Sequence, residues 1–402
     1  MTPIAFAWKS LASRPARAIL GIVGVSVVGA LLFDMLLLSR GLVVSFRDLL
    51  DSLGFDIRVT SSAALPATGG PALRHAALAV ATLRALPELR SVVPVRFGHA
   101  EFQMERGPVV DGHLQGTESA ATRGWPILDG GNLDDAAPDE RVPAIVNGEL
   151  ARELRLAPGS TLSVRGRCSE HASLLRPLAL HVVGIARFPF EGKGDRNLVT
   201  TLGVFQRLCG DADADEADML LVASRPGVGS GSALAAIRRA LPDSYAYSTG
   251  QLLDRLQRTD FSYFRQISVV LSAITFFFAF LLIATLLTVS VNQRLGELAA
   301  LRALGVRRAR IVTDLFCEAA LFVGIGGLVA LPVGWCVAHR LDSILRSMPG
   351  IPSAIHFFVF GARAVLLHVA LLGLSSLLAA LYPAWLAVRL PIAATLRKEI
   401  IS

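Results

Sequence analysis

Four long apolar blocks, three of them separated from the first by a stretch of ordinary polarity, constrain this chain more than any other feature. They run from Ile19 to Leu38, Ile267 to Val291, Ile311 to Val337 and Ala364 to Leu386. Each is about 20 residues or more, the length at which a helix crosses roughly 30 Å of hydrocarbon. Of the 402 residues, 53% are hydrophobic and only 18% are charged, against about 25% charged in soluble domains. That excess is confined to the blocks, and residues 41–264 read as a globular insert. The expected fold class is an α-helical membrane protein with four transmembrane helices plus an α+β extracytoplasmic domain.

Basic residues set the orientation, because Lys and Arg collect on cytoplasmic flanks. Lys9, Arg14 and Arg17 precede the first block; Arg294, Arg302, Arg307, Arg308 and Arg310 lie between the second and third; Arg389, Arg397 and Lys398 follow the fourth. The opposite side has Arg340, Arg346 and Arg363, with Arg40 and Arg265 bordering the insert. Both termini are therefore expected in the cytoplasm, with the insert outside. The net charge of +7 follows from this topology. It does not point to nucleic acid, since no basic patch is interleaved with aromatics.

The first block exceeds the roughly 7–15 apolar residues of a cleaved signal peptide, and is read as a retained anchor over 17–40. Ahead of it, Ile4, Trp8 and Leu11 fall on one helical stripe. Residues 1–16 are expected as a cytoplasmic interfacial helix anchored by Trp8.

Within the insert, Asp56 to Thr60 alternates as a strand and Ser61 to Pro71 reads as a loop. Leu73 to Leu86 repeats at helical spacing and stops at Pro87. Val92 to Val95, Ala144 to Val146, Leu162 to Val164 and Leu178 to Ile185 read as strands. Asn147 is placed to cap a helix from Gly148 to Leu156, Pro158-Gly159 turns the chain, and Ala233 to Leu241 is a further helix. One large domain or two small subdomains fit this length.

No catalytic constellation emerges. His75, His99, His113, His171 and His181 show no ligand-like pairing. The acidic run Asp211, Asp213, Asp215, Glu216 and Asp218 lacks the glycine and terminal Glu of a calcium loop, and reads as a solvated loop. Cys168 and Cys209 can form a disulfide in an oxidising compartment or remain free thiols. Cys317 and Cys336 lie in an apolar block and read as packing residues. No metal site and no bound cofactor are expected.

The stretch between the second and third blocks is the most informative. In residues 292–310, Leu295, Leu298, Leu301 and Arg302 share one helical face with Glu297 beside it, and Gly305 suits a left-handed cap. A short, partly apolar helix on the cytoplasmic side can dock a partner, or it can be a basic connector. This segment resembles the hallmark of the FtsX/MacB/LolC-type ABC transporter permeases, an acidic residue followed by Leu-Arg-Ala-x-Gly, here Glu297, Leu301, Arg302, Ala303 and Gly305. Trp8-Lys9-Ser10-Leu11 at the start is similar to the family pattern. So are Tyr382-Pro383-Ala384, Pro391-Ile392 and Leu396-Arg397-Lys398-Glu399 near the end. Asn147, Pro158-Gly159 and Val182-Val183-Gly184-Ile185 resemble the periplasmic domain of the MacB-like branch.

The resemblance implies that residues 265–402 form an FtsX-like permease domain whose 292–310 loop contacts an ABC ATPase subunit through Glu297, Leu298, Leu301, Arg302 and Gly305. It also implies a second permease, as homodimer or heterodimer, and a membrane-fusion protein or lipoprotein as a further partner. The chain contains no GxxxxGK[ST] phosphate loop; its nearest string is Glu191-Gly192-Lys193-Gly194-Asp195. ATP is thus expected on a partner subunit, as in the LolC/LolE-like or DevC-like permeases, and no catalysis by this chain. Three functions compete: export or extraction of a lipid-linked, lipoprotein or amphiphilic substrate; regulation of an extracytoplasmic cell-wall hydrolase; and a membrane-anchored sensor.

Three ionisable groups fall in or near the apolar blocks: Asp34, Glu318 and His368. Such groups are costly in lipid and face protein or water. Asp34 is expected to reach the interface, and Glu318 to pair with an arginine of the loop. Gly21, Gly24, Gly29, Gly324, Gly326 and Gly327 permit close helix contacts, within one chain or across a dimer.

Overall fold

The computed structural model describes residues 7–9, 12–13, 15–63, 71–104, 107–135, 142–168, 175–210, 214–258, 262–293, 296, 302–348 and 351–389. In chain order come α1 (Pro15–Ser52), β1 (Ile57–Thr60), β2 (Leu73–Arg74) and α2 (Ala76–Arg84). A long hairpin follows, β3 (Leu89–Gln103) and β4 (Val109–Thr117), then α3 (Ser119–Thr122) and β5 (Ile127–Gly130). Next are β6 (Pro143–Asn147), α4 (Gly148–Leu154), β7 (Thr161–Gly166), β8 (Leu178–Ala186), β9 (Asn197–Thr201) and α5 (Leu202–Cys209). Then come β10 (Glu216–Ala217), β11 (Met219–Ser224), α6 (Ser230–Ala240), β12 (Tyr245–Ser248) and α7 (Thr249–Arg258). Three long helices complete the series: α8 (Ser262–Asn292), α9 (Arg308–Arg346) and α10 (Ala362–Arg389).

These elements fall into two compact units. The first is Met1–Leu42, Phe261–Ser343 and Phe357–Ser402; the second is Val43–Asp260 with Ile344–His356.

In the first unit, α1, α8, α9 and α10 are each long and apolar enough to cross a membrane. Their shared core joins Val25 and Leu32 of α1, Ile283 and Leu287 of α8, Val323 of α9, and Leu372 and Ala379 of α10. Two helices run well past the apolar blocks. α1 continues to Ser52 because its extension is amphipathic, with Leu42, Ser45 and Leu50 buried. α9 continues to Arg346, burying Ala338 and Asp342 one turn apart. Tyr382-Pro383 does not interrupt α10, which passes through it to Arg389. A proline removes only one backbone donor, and membrane helices absorb that loss. Trp8 is exposed; Ile4 and Leu11 lie outside the described residues.

Close backbone approach joins α1 to α9. A Cβ on Gly326 would stand 2.7 Å from Val25 Cγ1, and one on Gly29 would stand 2.9 Å from Ala330 Cβ. The backbones are near enough for Ser26 Oγ to donate to Gly326 O at 3.1 Å. Gly21 and Gly24 face Phe322 and Leu282, and Gly327 faces Leu372. These five glycines therefore serve packing within the chain. Gly324 differs, with nothing within 4 Å of a built Cβ.

In the second unit, one 10-stranded mixed sheet has the order β12-β1-β11-β3-β4-β9-β6-β8-β5, with β7 pairing β3 and β8. The 15-residue β3 belongs to both halves. Its start pairs with β11 and its end with β7, while β4 follows it from Val95 to Gln103. Two cores result. Ile57, Leu83, Val92, Leu220, Val222 and Ile237 pack under α2 and α6. Phe102, Leu114, Val146, Leu150, Leu180 and Phe205 pack under α4 and α5. The unit is thus one sheet carrying two helical layers.

Local differences from the expected elements have local causes. Leu73 starts no helix: Leu73–Arg74 pairs with Glu216–Ala217. His75 then takes φ +57° and α2 begins at Ala76. α4 stops at Leu154 because Arg155 turns left-handed. Segment Ile344–His356, expected as a bare loop between spans, is built into this second unit. Ser353 N donates to Glu191 O at 2.8 Å, and His356 N donates to Ser45 Oγ at 2.7 Å. Cys168 and Cys209 are joined as a disulfide with a Cα separation of 5.3 Å. It ties the end of β7 to the end of α5.

Replacing Gly326 by Leu should wedge α1 from α9 and cost about 1–3 kcal/mol by overpacking. Gly324→Leu, next to open space, should leave stability unchanged. Thermal unfolding of the two variants in detergent checks this, and equal midpoints would contradict the close-contact account.

Candidate functional site

Three places hold the residues of functional interest. The first is the connection between α8 and α9. Glu297, Leu298 and Leu301 lie outside the described residues. Arg302 is half-buried, and Gly305 takes φ +85° with its N–H bonded to Arg302 O at 3.1 Å. Val306 then folds back against Val291, Ile311, Leu315 and Ala384. Arg310 Nε meets Asp314 Oδ1 at 3.3 Å, anchoring the first turns of α9. Between these fixed points Leu304 is 82% exposed.

The second place is the membrane interior. Asp34 does not reach an interface: it is 1% exposed. It is enclosed because Gly334 of α9 lacks a side chain there, a Cβ at that point lying 3.2 Å from Asp34 Oδ1. Among the described residues Oδ1 has no hydrogen-bond partner. Glu318 is 5% exposed and accepts a hydrogen bond from Ser290 Oγ of α8 at 2.8 Å. His368 is 1% exposed and packs edge-on to Phe33, with ring centres 5.3 Å apart. Asp34 faces Gly334 of α9, Glu318 faces Ser290 of α8, and His368 packs on Phe33 of α1.

The third place is the insert. Asn147 is 1% exposed and does more than cap. Its Oδ1 accepts from Leu150 N at 3.1 Å and Asn197 N at 3.2 Å, and its Nδ2 donates to Asp195 O at 2.7 Å. The string Glu191 to Asp195 is thereby a tight turn, closed by Gly192 N donating to Asp195 Oδ2 at 2.7 Å. Gly184 is needed because Gly131 O occupies the space of a Cβ.

The described part of the acidic run, Asp215, Glu216 and Asp218, is structural rather than solvated. Asp215 Oδ1 accepts from Ala77 N at 2.7 Å at the start of α2, and Glu216 and Asp218 flank Arg96 at 3.3 and 3.6 Å. Asp211 and Asp213 lie outside the described residues. His99 and His113 do pair, as cross-strand neighbours with ring centres 5.0 Å apart. Their common register could be read only once the hairpin was known. Among the described residues no three His, Cys, Asp or Glu side chains group as a metal site.

A family model for the MacB-like periplasmic core domain matches residues 18–240, and one for the FtsX-like permease C-terminal region matches residues 269–392. The chain belongs to the FtsX/MacB-type ABC permeases. It is therefore a multi-pass membrane protein with a periplasmic-type α/β domain. It is 23% identical over 358 residues to the macrolide export ATP-binding/permease protein MacB of Hyphomonas neptunium, covering 83% of this chain and 52% of that protein. It thus spans about half the length of that relative. An uncharacterised ABC transporter permease protein of Mycobacterium tuberculosis is 32% identical over 136 residues, 33% of this chain and 15% of that one. The crystal structure of the periplasmic region of MacB from Actinobacillus actinomycetemcomitans overlaps 52% of this chain and 96% of its own, with a TM-score of 0.42 at 13% identity. The extracellular domain of the transporter YknZ from Gram-positive bacteria overlaps 47% of this permease and 92% of its own chain, with a TM-score of 0.34 at 14% identity.

Burial pushes the Glu191 carboxyl of this permease above its ordinary value, against hydrogen bonds from Phe188 and Asn147. The folded state then holds the proton more tightly than the unfolded chain, so stability declines as pH rises through the folded pKa. Glu191→Gln removes the buried charge. Its denaturation midpoint should exceed that of the parent at about pH 7.5 and match it near about pH 4. Chemical denaturation followed by circular dichroism checks both.

Proposed function

We propose that this chain is the membrane subunit of an ABC transporter and passes ATP-driven motion from a separate ATPase to its periplasmic-type domain. The carrying observation is the joint presence of the FtsX-like and MacB-like regions on one chain. The α8–α9 connection supports it, with the exposed Leu304 next to the Glu297 to Gly305 motif.

In this reading the 292–310 loop is the coupling segment and lies in the cytoplasm with both termini. Glu297 and Arg302 make the polar contacts to the ATPase, Leu298 and Leu301 the apolar ones, and Gly305 ends the coupling helix. The domain at 41–264 lies outside. ATP is bound and hydrolysed by the partner. A second permease pairs with this one, and a membrane-fusion protein or lipoprotein meets the outer domain. The work done is export or extraction of a lipid-linked, lipoprotein or amphiphilic substrate. The curated relative is named for macrolide export, which supports an amphiphilic cargo here.

Glu297→Lys places a like charge where the motif carries an acid, and like-charge contacts at an interface cost several kcal/mol. Stimulation of the ATPase by the reconstituted permease should fall by at least about tenfold, with the permease still folded by its melting profile. Unchanged stimulation and unchanged association would refute the coupling assignment.

A further inference from the structure

Among the described residues of the second unit, one face of the sheet floors a cavity of about 590 Å³, within the range of roughly 300–1,000 Å³ for small-molecule sites. The floor crosses strands in register. Arg58 of β1 lies opposite Leu221 of β11, Met219 opposite Val95 of β3, and Phe97 opposite Gln115 of β4. Phe55, Trp125, Phe188 and Phe190 line it as well. Trp125 and Phe188 touch, with ring centres 4.6 Å apart. Phe97 and Phe190, both lining residues, are 43% and 47% exposed. The lining therefore joins an apolar and aromatic floor, with exposed rings at its edge, to polar and charged groups that include Glu191.

Its charged groups are unequal. Arg96 is held by Glu216 and Asp218, and Arg167 by Asp111 at 3.0 Å and Glu101 at 3.4 Å. Asp195 is engaged by Gly192 N. Arg58 is different. It is 5% exposed, and Nη1 donates to Thr249 Oγ1 at 3.0 Å, but Nη2 is buried without an acceptor. Asp56 acts on it through space while its oxygens accept from Ser224 N and Oγ; Asp51 acts from an exposed position. Tyr247, directly across the strand pair, buries a hydroxyl that also has no partner. Leaving such donors unsatisfied is costly, most of all for a charged group. Burial alone pulls the Arg58 guanidinium below its ordinary value, the mark of a cation short of counter-charge.

We propose that this cavity binds an anionic amphiphile. A single carboxylate or phosphate head is held by the Arg58 guanidinium, and the apolar body lies among Leu221, Val95, Phe97 and Trp125. The proposal deepens the permease reading by giving its cargo a class, and rests on that reading only for its role in export. Binding is measured without any ATPase, so a failed coupling test and a failed binding test are told apart.

The full chain is placed in phosphatidylcholine nanodiscs with Trp8, Trp335 and Trp385 changed to Phe, which leaves Trp125 as reporter. The probes are ω-bromoundecanoate, ω-bromoundecyl phosphate and ω-bromoundecyl trimethylammonium. Both anions should quench Trp125 saturably and the cation should not; the stronger anion identifies a fatty-acid-like or a phospholipid-like head. Arg58→Gln should weaken anion binding by about tenfold or more, the loss expected for a charge-assisted hydrogen bond. Leu221→Phe, which narrows the cavity without touching a polar group, should weaken both anions alike and decides the matter if Arg58→Gln does not fold. Equal quenching by all three heads, no saturation, or anion binding unchanged in Leu221→Phe or in folded Arg58→Gln would overturn the proposal.

Discussion

Lipid tails are as apolar as leucine, so helices in a bilayer gain nothing by hiding from them and must be held by close packing. In this permease all four helices share one core, and a close backbone approach within it is the seam between α1 and α9. Gly29, Gly326 and Gly334 remove side chains where the two backbones meet, and Ser26 closes the gap with a hydrogen bond to Gly326 O. The same seam shelters Asp34, whose place exists only because Gly334 has no Cβ. His368 depends on it too, since its ring sits against Gly29 and Phe33. Two of the three intramembrane ionisable groups are thus tolerated by this one seam.

The periplasmic-type domain solves a different problem. A long sheet with a helix layer over each half could behave as two independent pieces. Here β3 runs through both halves without a break, so its hydrogen bonds to β11 and β7 make the two cores share one backbone. Asn147 adds a second tie at the far half, binding the start of α4, β9 and the Glu191–Asp195 turn through one buried amide. The face of the sheet away from Phe205 is covered only in part, by clusters around Trp125 and Phe188 and around Phe55 and Ala121, and the cavity lies on that face.

Hydropathy made the four spans legible because the membrane imposes one length and one composition on every spanning helix. It could not mark where α1 and α9 end, since beyond the lipid an amphipathic helix looks like any surface helix. Asn147, Pro158-Gly159 and Gly305 were legible for the same kind of reason: caps and left-handed turns are local, and few residues satisfy them. The sheet order was not. Strands β1, β11 and β12 are neighbours in space but lie some 160 to 190 residues apart from first to last, and nothing local encodes such pairing. The His99–His113 pair, the capping role of Asp215 and the ion pairs of Arg96 all follow from strand register, so they were hidden with it. Asp34 was misplaced because position along a helix was read without knowing which neighbour lacked a side chain.

Length is the last clue to how motion would pass through the permease. At 1.5 Å per residue, the 38 residues of α1 and the 39 of α9 extend about 57–59 Å, nearly twice the roughly 30 Å of hydrocarbon. Helices kink where a backbone hydrogen bond is missing, most often at proline. α9 contains Pro332 and α10 contains Pro383. In α1 the only proline is Pro15, at its first position, where the absent donor costs nothing. α8 likewise has no internal proline, so under the permease reading α1 is the longer of two uninterrupted struts, and its seam with α9 is where displacement starting near residue 308 would be handed across. On that reading a soft seam would dissipate the displacement, and the glycine contacts would carry a mechanical role in addition to their role in packing.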